Sequence, residues 1–486
     1  MIQRQTWTPN GQLHQQTLAR RGATTRIALR DYAYDTGGQL THINDLRRGD
    51  TFYRYDPVGR LLEAGDYYKK EIFAFDPASN LLDPQAPPGP NRHSPQRMSD
   101  NVLRSYCGTQ YRYDERGNLL ERTTDGKQGH FTWDLHNRLR RYEDERLTVS
   151  FGYDALGRRL YKKSHAKYRD RRQAGPLWNE NQRRELDEQL GCGFTWYVWE
   201  GDTLAFECRD RERHGRSTHY VFEPGTFVPV AQAVSNRVVE LIPQPVYVFP
   251  YDIDKDPVWQ HKPTPKPFDA LAWYQCDHLG TPMELTDEDG EIAWRGTYKA
   301  WGLAEETRSD KAKWADIRNP LRFQGQYWDV ETGLHYNRYR YYDPQVGRFI
   351  GKDPIGFDGG LNLYTYCLSP TDWVDPLGLA GRKLPRPWIA PGNSKEGWRH
   401  IDERHISGTN TQKGHGDLFA AGTTQLQIQQ ACECLIQHGT RVSEPDKRIQ
   451  TFEKRMKING KRDRVRGIFD SSDNNRTITM FPVRSE

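Results

Sequence analysis

A short motif recurs along the first third of this 486-residue chain: an aromatic residue and Asp, then Gly or Asn, usually followed by Leu. The six copies have their aromatic–Asp pairs at Tyr34-Asp35, Tyr55-Asp56, Phe75-Asp76, Tyr113-Asp114, Trp133-Asp134 and Tyr153-Asp154. Successive aspartates are 21, 20, 38, 20 and 20 residues apart, and the doubled interval contains a Pro-rich stretch, residues 84–95. A fixed period of this size is typical of proteins built from small stacked units.

Each copy of the motif predicts a strand, a turn and a second strand. The Asp side chain accepts hydrogen bonds from N–H groups of the turn, and Gly or Asn takes the position with positive φ. One hairpin buries too little apolar surface to be stable alone, so neighbouring hairpins must stack. We therefore expect a mostly β fold in which the repeated aspartates form turns and have no catalytic role.

The repeats resemble the YD repeats of Rhs proteins, and residues 274–282 are similar to a further element of that family, Y-x-x-D-H-L-G-[TS]-P. The resemblance implies that residues 1–318 are part of a cocoon-like β-shell that encloses a C-terminal polypeptide. The number of repeats is low for a closed shell, so this part is expected to be incomplete. A β-propeller and an open β-solenoid are alternatives, because both are also built from short stacked strands.

Residues 319–379 hold two D-P-x-G blocks that start at Asp353 and Asp375, 22 residues apart. This segment resembles the end of the core of Rhs proteins and of the C subunits of insecticidal toxin complexes. The resemblance implies a plug with aspartyl autoprotease activity that cuts between Leu379 and Ala380, with Asp353 and Asp375 as catalytic carboxylates and Arg340 assisting. Two close carboxylates suit this chemistry, since one stays protonated while the other ionises. The alternative is that both blocks are turns only.

Residues 380–486 form a third predicted domain, which carries the basic excess of the chain. They contain 19 Lys and Arg against 12 Asp and Glu, whereas the rest of the chain is close to neutral. The pattern predicts a helix over 397–406, a second helix over 424–438, a hairpin around Asn459-Gly460 and a last strand over 476–483. A small basic α+β domain favours a polyanionic partner.

This third domain resembles the barnase, EndoU, colicin E5-D and RelE-like ribonucleases, through a W-x-H-I-x-x-R-H element and a basic sheet that follows the helices. The resemblance implies cleavage of RNA without a metal or cofactor. The candidate catalytic residues are His400, Arg404, His405, His415 and Thr479. Histidine suits both proton roles near neutral pH. On a regular helix His400 and His405 diverge by about 140°, so we expect only one of them to serve the site.

The sequence leaves other functions possible for this chain. A metal-dependent DNA nuclease is the second choice, because H-x-x-x-x-H can supply ligands, although no HNH-type set accompanies it. A deaminase is disfavoured, since neither H-x-E nor C-x-x-C is present. An ADP-ribosyltransferase is a further alternative. The non-enzymatic alternative is a scaffold whose shell is the function.

Partners and location follow from the same resemblance. It implies a contact-dependent antibacterial toxin with a cognate immunity protein, delivered by a system such as type VI secretion through its spike or adaptor proteins. The chain shows neither a signal peptide nor an apolar run that could span a membrane. Its seven cysteines lack pairing-like spacing, which favours synthesis in a reducing cytoplasm. The toxin is expected to act in the cytoplasm of the target cell.

Overall fold

We used a computed structural model of the chain. It describes residues 1–8, 12–23, 25–85, 98–210, 215–238, 249–252, 254, 266–379, 382–383, 395–407, 418–420, 422–444, 447–470 and 476–483. Two compact units are present. The first contains residues 18–382 together with 1–2, and the second contains residues 383–486 together with 3–17.

Antiparallel strands dominate the first unit, as the repeats predict. The chain begins with β1 (Ile2–Trp7) and β2 (Leu13–Ala19), most of whose residues belong to the second unit. The next strands, which pair in chain order, are β3 (Arg26–Tyr34), β4 (Leu40–Asp45), β5 (Gly49–Tyr55), β6 (Leu61–Gly65) and β7 (Lys70–Ile72).

The largest sheet has fifteen strands, which also follow the order of the chain. Its strands are β8 (Ser105–Tyr106), β9 (Thr109–Tyr113), β10 (Leu119–Thr124), β11 (Lys127–Trp133), β12 (Leu139–Glu143), β13 (Leu147–Tyr153), β14 (Arg159–Ala166), β15 (Phe194–Glu200), β16 (Thr203–Asp210), β17 (Arg216–Phe222), β18 (Pro229–Ser235), β19 (Ala270–Cys276), β20 (Pro282–Asp287), β21 (Ile292–Tyr298) and β22 (Ala304–Arg308). Helix α1 (Pro176–Leu190) lies in the chain between β14 and β15, and helix α2 (Asp310–Trp314) follows β22. The prediction of a mostly β fold made of stacked hairpins is confirmed.

The repeat aspartates form turns, as predicted. In a clean copy, the Asp56 Oδ1 accepts hydrogen bonds from the N–H groups of Val58 and Arg60, and Gly59 has φ 88°. The prediction was wrong in detail for the copy at Asp76, where Ser79 rather than Asn80 has positive φ (62°). The turn places its positive φ three residues after the Asp in every copy, whichever residue stands there.

An arginine links each of several turns to the next one. The guanidinium groups of Arg60, Arg116 and Arg138 donate hydrogen bonds to the carbonyl oxygens of Asp76, Asp134 and Asp154. Each acceptor is the aspartate of the following repeat, so these bonds tie neighbouring hairpins together at their turns. This explains how units that are too small to be stable alone are held in register.

Replacing Ser79 by Gly is expected to stabilise the chain. A left-handed conformation costs a residue with a Cβ roughly 1–2 kcal/mol, and the extra entropy that Gly loses on folding offsets part of the gain. We expect an increase of about 0.5–1 kcal/mol in the free energy of unfolding, measured by urea denaturation. The matched control is Ala78→Gly, because the neighbouring Ala78 does not have positive φ. This control should lower the free energy of unfolding. A lower free energy of unfolding for Ser79→Gly as well would contradict the interpretation that the turn is strained.

Residues 319–379 pack onto the inner aromatic side chains of the large sheet. Their strands are β23 (Tyr327–Asp329), β24 (Leu334–Asn337), β25 (Arg340–Asp343), β26 (Arg348–Phe349) and β27 (Trp373–Val374), and β28 (Arg382–Lys383) follows. Arg159 of β14 is fully buried against the rings of Tyr197 and Tyr336 and pairs with Asp329 at 2.5 Å. This buried pair joins the sheet to the segment that carries the predicted cleavage site.

The second unit combines helices with a four-stranded antiparallel sheet. It contains α3 (Gly397–Ile401), a π-helical turn (Asp402–Ile406), α4 (Gln425–His438), β29 (Thr440–Arg441), β30 (Ile449–Ile458), β31 (Lys461–Asp470) and β32 (Arg476–Val483). The predicted hairpin is confirmed, since Asn459 and Gly460 both have positive φ (45° and 82°). The core of this unit is apolar, and α4 packs on one face of the sheet. Within the described part of the chain, no helix has both the length and the apolar character that a membrane span requires.

Candidate active sites

Arg340 lies at the start of β25, just after the turn that joins β24 to β25. Arg338 forms this turn with φ 52°, and its guanidinium donates to the Asp202 carboxylate (2.7 Å) and to the Leu156 carbonyl (3.0 Å). Those two bonds anchor the turn to the large sheet. The guanidinium of Arg340 lies over the ring of Phe349, 3.7 Å from its centre, and is 5% exposed.

The structure brings the three predicted residues of the cleavage site together. The Arg340 Nη2 lies 3.0 Å from the Asp353 Oδ2 and 3.3 Å from the Asp375 Oδ2. One nitrogen therefore bridges both carboxylates. Asp353 and Asp375 are 8% and 1% exposed, so the pair is largely shielded from solvent.

Each D-P-x-G block also forms a turn, and the two roles use different oxygens. The Asp353 Oδ1 accepts a hydrogen bond from the Ile355 N–H, and the Asp375 Oδ1 accepts from the N–H groups of Gly378 and Leu379. In both blocks the Oδ1 stabilises the turn while the Oδ2 points to Arg340. The turn interpretation and the carboxylate-pair interpretation are thus compatible.

The end of the segment lies beside this pair. A Cβ placed on Gly359 would sit 2.3 Å from the Asp353 Oδ2 and 2.6 Å from the Leu379 carbonyl oxygen, so both oxygens border the same small space. The Arg340 Nε donates a hydrogen bond to the Gly378 carbonyl at 2.5 Å. The carbonyl oxygen of the predicted scissile bond and the Asp353 carboxylate therefore both lie beside Gly359. Ala380, on the other side of that bond, lies outside the described residues.

Backbone packing holds the second block in place. Gly325 has φ 78°, and a Cβ at this position would lie 1.9 Å from the Pro376 carbonyl oxygen. The Asn337 side chain donates to the Asp375 carbonyl at 2.8 Å. The chain before Leu379 is thereby held between two neighbouring segments, which fixes its position relative to the carboxylates.

Burial dominates the electrostatics of the pair. It raises the pKa of Asp353, against the opposing charge of Arg340 and the Ile355 N–H, and the neighbouring Asp375 raises it further. Burial also lowers the pKa of Arg340, because the attraction of the two carboxylates does not fully offset its desolvation. The result is one carboxyl group, near the Leu379 carbonyl, whose pKa lies above its ordinary value.

The two histidines of the second unit lie together, and the prediction that they diverge was wrong. The ring centres of His400 and His405 are 5.5 Å apart, and both side chains are buried. The α-helix ends at Ile401 and continues as the π-helical turn Asp402–Ile406. A π-turn brings positions five residues apart onto one side, and such turns occur frequently at functional sites.

A row of side chains crosses the face of the sheet that lies opposite α4 in this unit. Glu453 pairs across the strands with Arg466, and Arg466 pairs with Phe481. The ring of His405 stacks on Phe481, with centres 5.3 Å apart. The preceding row, Phe452, Gly467 and Met480, lies in the core under α4, so alternation along the strands places the Glu453 row on the opposite face.

Glu453 is a candidate functional residue that the sequence analysis missed. Its side chain is 4% exposed, yet it forms ion pairs with Arg466 and, at 2.5 Å, with Arg464. The signal was available: the Asn459-Gly460 turn sets the register, and residues equally far from it on both strands are partners. A buried carboxylate, two guanidinium groups and a histidine pair on one unit form a set of groups that can bind an anion and move protons.

The other predicted residues of the toxin site are Arg404, Thr479 and His415. Arg404 lies on the π-turn and is half-buried, without an ion pair to any residue that the structure describes. The Thr479 Oγ1 is buried and has no hydrogen-bond partner among the described residues, and Thr479 lies two positions before Phe481 on β32. His415 lies outside the described residues.

Comparisons with known proteins agree with the resemblance found in the sequence. Residues 271–307 match the model of the family described as RHS protein. The chain is 38% identical over 367 residues to the Double-stranded DNA deaminase toxin A of Burkholderia cenocepacia (strain H111), a match that covers 74% of this chain and 23% of the relative. It is 34% identical over 365 residues to the Toxin protein Tse5 of Pseudomonas aeruginosa (strain PAO1), with 72% and 25% covered.

A more distant relative is the Probable deoxyribonuclease RhsA of Dickeya dadantii (strain 3937), 28% identical over 366 residues, with 72% of this chain and 21% of the relative covered. The crystal structure of TcdB2-TccC3-TEV aligns with 78% of this chain and 19% of that chain, at a TM-score of 0.43 and 16% identity. The chain spans about a quarter of the length of the two toxin relatives from Burkholderia cenocepacia and Pseudomonas aeruginosa. The family match, the repeats and the paired D-P-x-G blocks together show that the chain belongs to the Rhs family.

Proposed function

We propose that this chain is the C-terminal part of an antibacterial Rhs toxin that cuts itself between Leu379 and Ala380 and so releases residues 380–486. The observation that carries the proposal is the single guanidinium nitrogen of Arg340 between the Oδ2 atoms of Asp353 and Asp375, beside the Leu379 carbonyl. Aspartyl proteases need such a pair, with one carboxyl protonated and one ionised.

The roles of the two carboxyl groups follow from their surroundings. Asp353, with its raised pKa and its place beside the Leu379 carbonyl, donates a proton to the carbonyl oxygen. Asp375 takes a proton from a water molecule as the water oxygen bonds to the carbonyl carbon. The C–N bond then breaks as the nitrogen of Ala380 takes the proton from Asp375 and one hydroxyl of the tetrahedral carbon returns its proton to Asp353, which leaves a carboxyl group on Leu379 and an amino group on Ala380. Arg340 orients the pair and holds the Gly378 carbonyl.

The proposed roles predict a bell-shaped dependence of cleavage on pH. The reaction needs protonated Asp353, so its rate is lost as pH rises through the raised pKa of this group; it also needs ionised Asp375, so its rate falls at low pH. The test is to refold denatured, uncut chain by dilution into buffers from about pH 4 to about pH 9 and to follow cleavage on denaturing gels. A rate that keeps rising across this range would contradict Asp353 as the acid.

For the released part, we propose a metal-independent ribonuclease. The support is the row of Glu453, Arg466 and Phe481, which ends at the His405 ring. The arginines are placed to hold a phosphate, and Glu453 and the histidines are groups that can take and return the proton of a 2′-OH. The sign of the charge fits a nucleic acid, since residues 380–486 carry the basic excess of the chain.

A DNA substrate is the second candidate, because two of the matched relatives are named for action on DNA, one as a deaminase toxin and one as a deoxyribonuclease. The experiment that separates the candidates incubates the self-cleaved chain with RNA and with double-stranded DNA, each with and without EDTA. RNA cleavage that survives EDTA supports the proposal. DNA cleavage that EDTA abolishes would replace the ribonuclease proposal with the second candidate. The absence of activity on both RNA and DNA would favour the non-enzymatic alternative, a scaffold whose shell is the function.

A toxin of this kind needs a partner that protects its producer. We propose an immunity protein with an acidic surface, which would cover the basic sheet face around Arg464 and Arg466. Delivery through the spike or adaptor proteins of a contact-dependent system, and action in the cytoplasm of the target cell, belong to the same proposal. Its basis is the similarity to two relatives that are named as toxins.

A further inference from the structure

Four arginine side chains of the first unit surround a single buried aspartate. Arg209 of β16 and Arg318, which follows α2, form ion pairs with Asp316 at 2.7 Å and 2.5 Å. Arg216 of β17 approaches the same carboxylate only at 3.8 Å. Arg308, at the end of β22, is the fourth. One carboxylate therefore serves several guanidinium groups.

Two of these arginines have buried nitrogens without a hydrogen-bond partner in the described part of the chain. These are the Nε of Arg209 and the Nη1 of Arg216. Such groups are costly in a protein interior unless something binds them. The Nε of Arg209 has a second carboxylate, that of Glu207, only at 3.7 Å, which is beyond hydrogen-bond distance. The cluster therefore has donors that the described residues do not use.

Arg308 is close to the same charged groups. Its side chain forms neither an ion pair nor a hydrogen bond with the residues that the structure describes. Burial lowers its pKa, the nearby Arg318 and Arg209 lower it further, and Asp316 and Glu306 do not offset this. A group in this position is stabilised by an additional negative charge.

The cluster opens into space that is large enough for a ligand. A cavity of about 830 Å³ is lined by Arg209, Arg216, Arg318 and Lys313, and a second one of about 270 Å³ is lined by Arg209, Arg308 and Arg318. The larger cavity is also lined by four carboxylates besides Asp316, those of Glu185, Asp187, Glu188 and Asp210. A volume of this size is in the range of small-molecule sites.

The backbone at the centre of the cluster is strained. Asp316 has φ 53°, the left-handed conformation that residues with a Cβ avoid. Burial alone would raise the pKa of Asp316, but Arg209 and Arg318 outweigh it and lower the pKa, so this group stays ionised and holds the two arginines in place. Strained residues that position charged side chains cluster at binding sites.

We propose that the Asp316 cluster is a binding site for a phosphate-bearing small molecule, with Arg209 and Arg216 as phosphate ligands in the larger cavity and Arg209 and Arg308 in the smaller one. The planar guanidinium matches the oxygens of a phosphate with two parallel N–H donors, and the negative charge of a phosphate is attracted to several arginines at once. The site is remote in sequence from the D-P-x-G blocks and is independent of the proposed cleavage and of the toxin activity.

The test is calorimetric titration of the full chain with pyrophosphate. We expect saturable binding that weakens with salt and that Arg308→Gln and Arg216→Gln each weaken at least about tenfold. Arg308 forms no ion pair with the described residues, so its replacement should leave the fold intact. Arg112→Gln is the matched control: Arg112 lies on β9 of the same sheet, is 65% exposed, and pairs with Glu121. This variant should bind as the unchanged chain does.

Further titrations define the ligand class. Binding of ADP that is tighter than that of pyrophosphate would support a nucleotide, and equal binding would support recognition of the phosphate groups alone. Citrate binding as tight as that of pyrophosphate would overturn the assignment to phosphate. The proposal as a whole is overturned if pyrophosphate shows no saturable binding up to about 1 mM, or if both arginine variants bind it unchanged.

Discussion

Replacing Asp375 by Asn is expected to slow self-cleavage at least about 100-fold, so that the chain stays as one band of 56.7 kDa on a denaturing gel. The amide oxygen of Asn can still accept the hydrogen bonds of the Gly378 and Leu379 N–H groups, so the turn should persist. What is lost is the negative charge beside Arg340 and the base that accepts the proton of the attacking water. The expected loss is therefore one of chemistry rather than of structure.

The matched control is Asp358→Asn, in the same segment. Asp358 is exposed and lies in the short 3-10 turn Gly356–Gly359. The Asp358→Asn chain should cleave itself at the rate of the unchanged chain. Near-normal cleavage of Asp375→Asn would show that the carboxylate pair is not the catalyst, and uncut Asp358→Asn would show that the gel reports misfolding instead.

Replacing His405 by Gln is expected to reduce cleavage of RNA by the released part about 10²–10⁴-fold, the usual effect of removing a general acid or base. Gln keeps a side chain of similar length with a polar end, but it does not titrate near neutral pH. His405 contacts both His400 and Phe481, so it lies where the histidine pair meets the row of Glu453 and Arg466. Loss of activity is measured with labelled RNA in the presence of EDTA.

Arg399→Gln is the control for this second prediction. Arg399 lies on the same helix as His400, is 64% exposed, and pairs with Glu403. Its replacement should leave activity within about threefold, as surface changes usually do. Circular dichroism of both variants shows whether the unit is folded. A folded His405→Gln chain with normal activity would exclude His405 from the catalytic site.

Local sequence patterns predicted much of the fold, because its elements depend on short-range rules. Asp56 and its counterparts form their turns with residues two to four positions ahead, and Asn459-Gly460 sets a hairpin register by itself. The two D-P-x-G blocks were also recognisable, because each is a short pattern of neighbouring residues. Their meeting at Arg340 required the family resemblance, since Asp353 and Asp375 approach each other only through long-range packing.

Other parts of the candidate sites could not be predicted in this way. The divergence expected for His400 and His405 assumed a regular α-helix, and nothing in the local sequence indicates the π-turn that removes it. The arginine cluster combines the consecutive strands β16 and β17 with β22 and the loop after α2, which come much later in the chain. Glu453 was within reach of pattern analysis, because the hairpin register alone pairs it with Arg466.

The most direct test of self-cleavage is the exact mass and N-terminal sequence of the smaller product from freshly made full chain. The proposed reaction predicts one fragment that begins at Ala380 and ends at Glu486, and it predicts that Asp353→Asn and Asp375→Asn both lack this fragment. A fragment that begins at another residue, or the same fragment from either variant, would contradict cleavage by the carboxylate pair at Leu379.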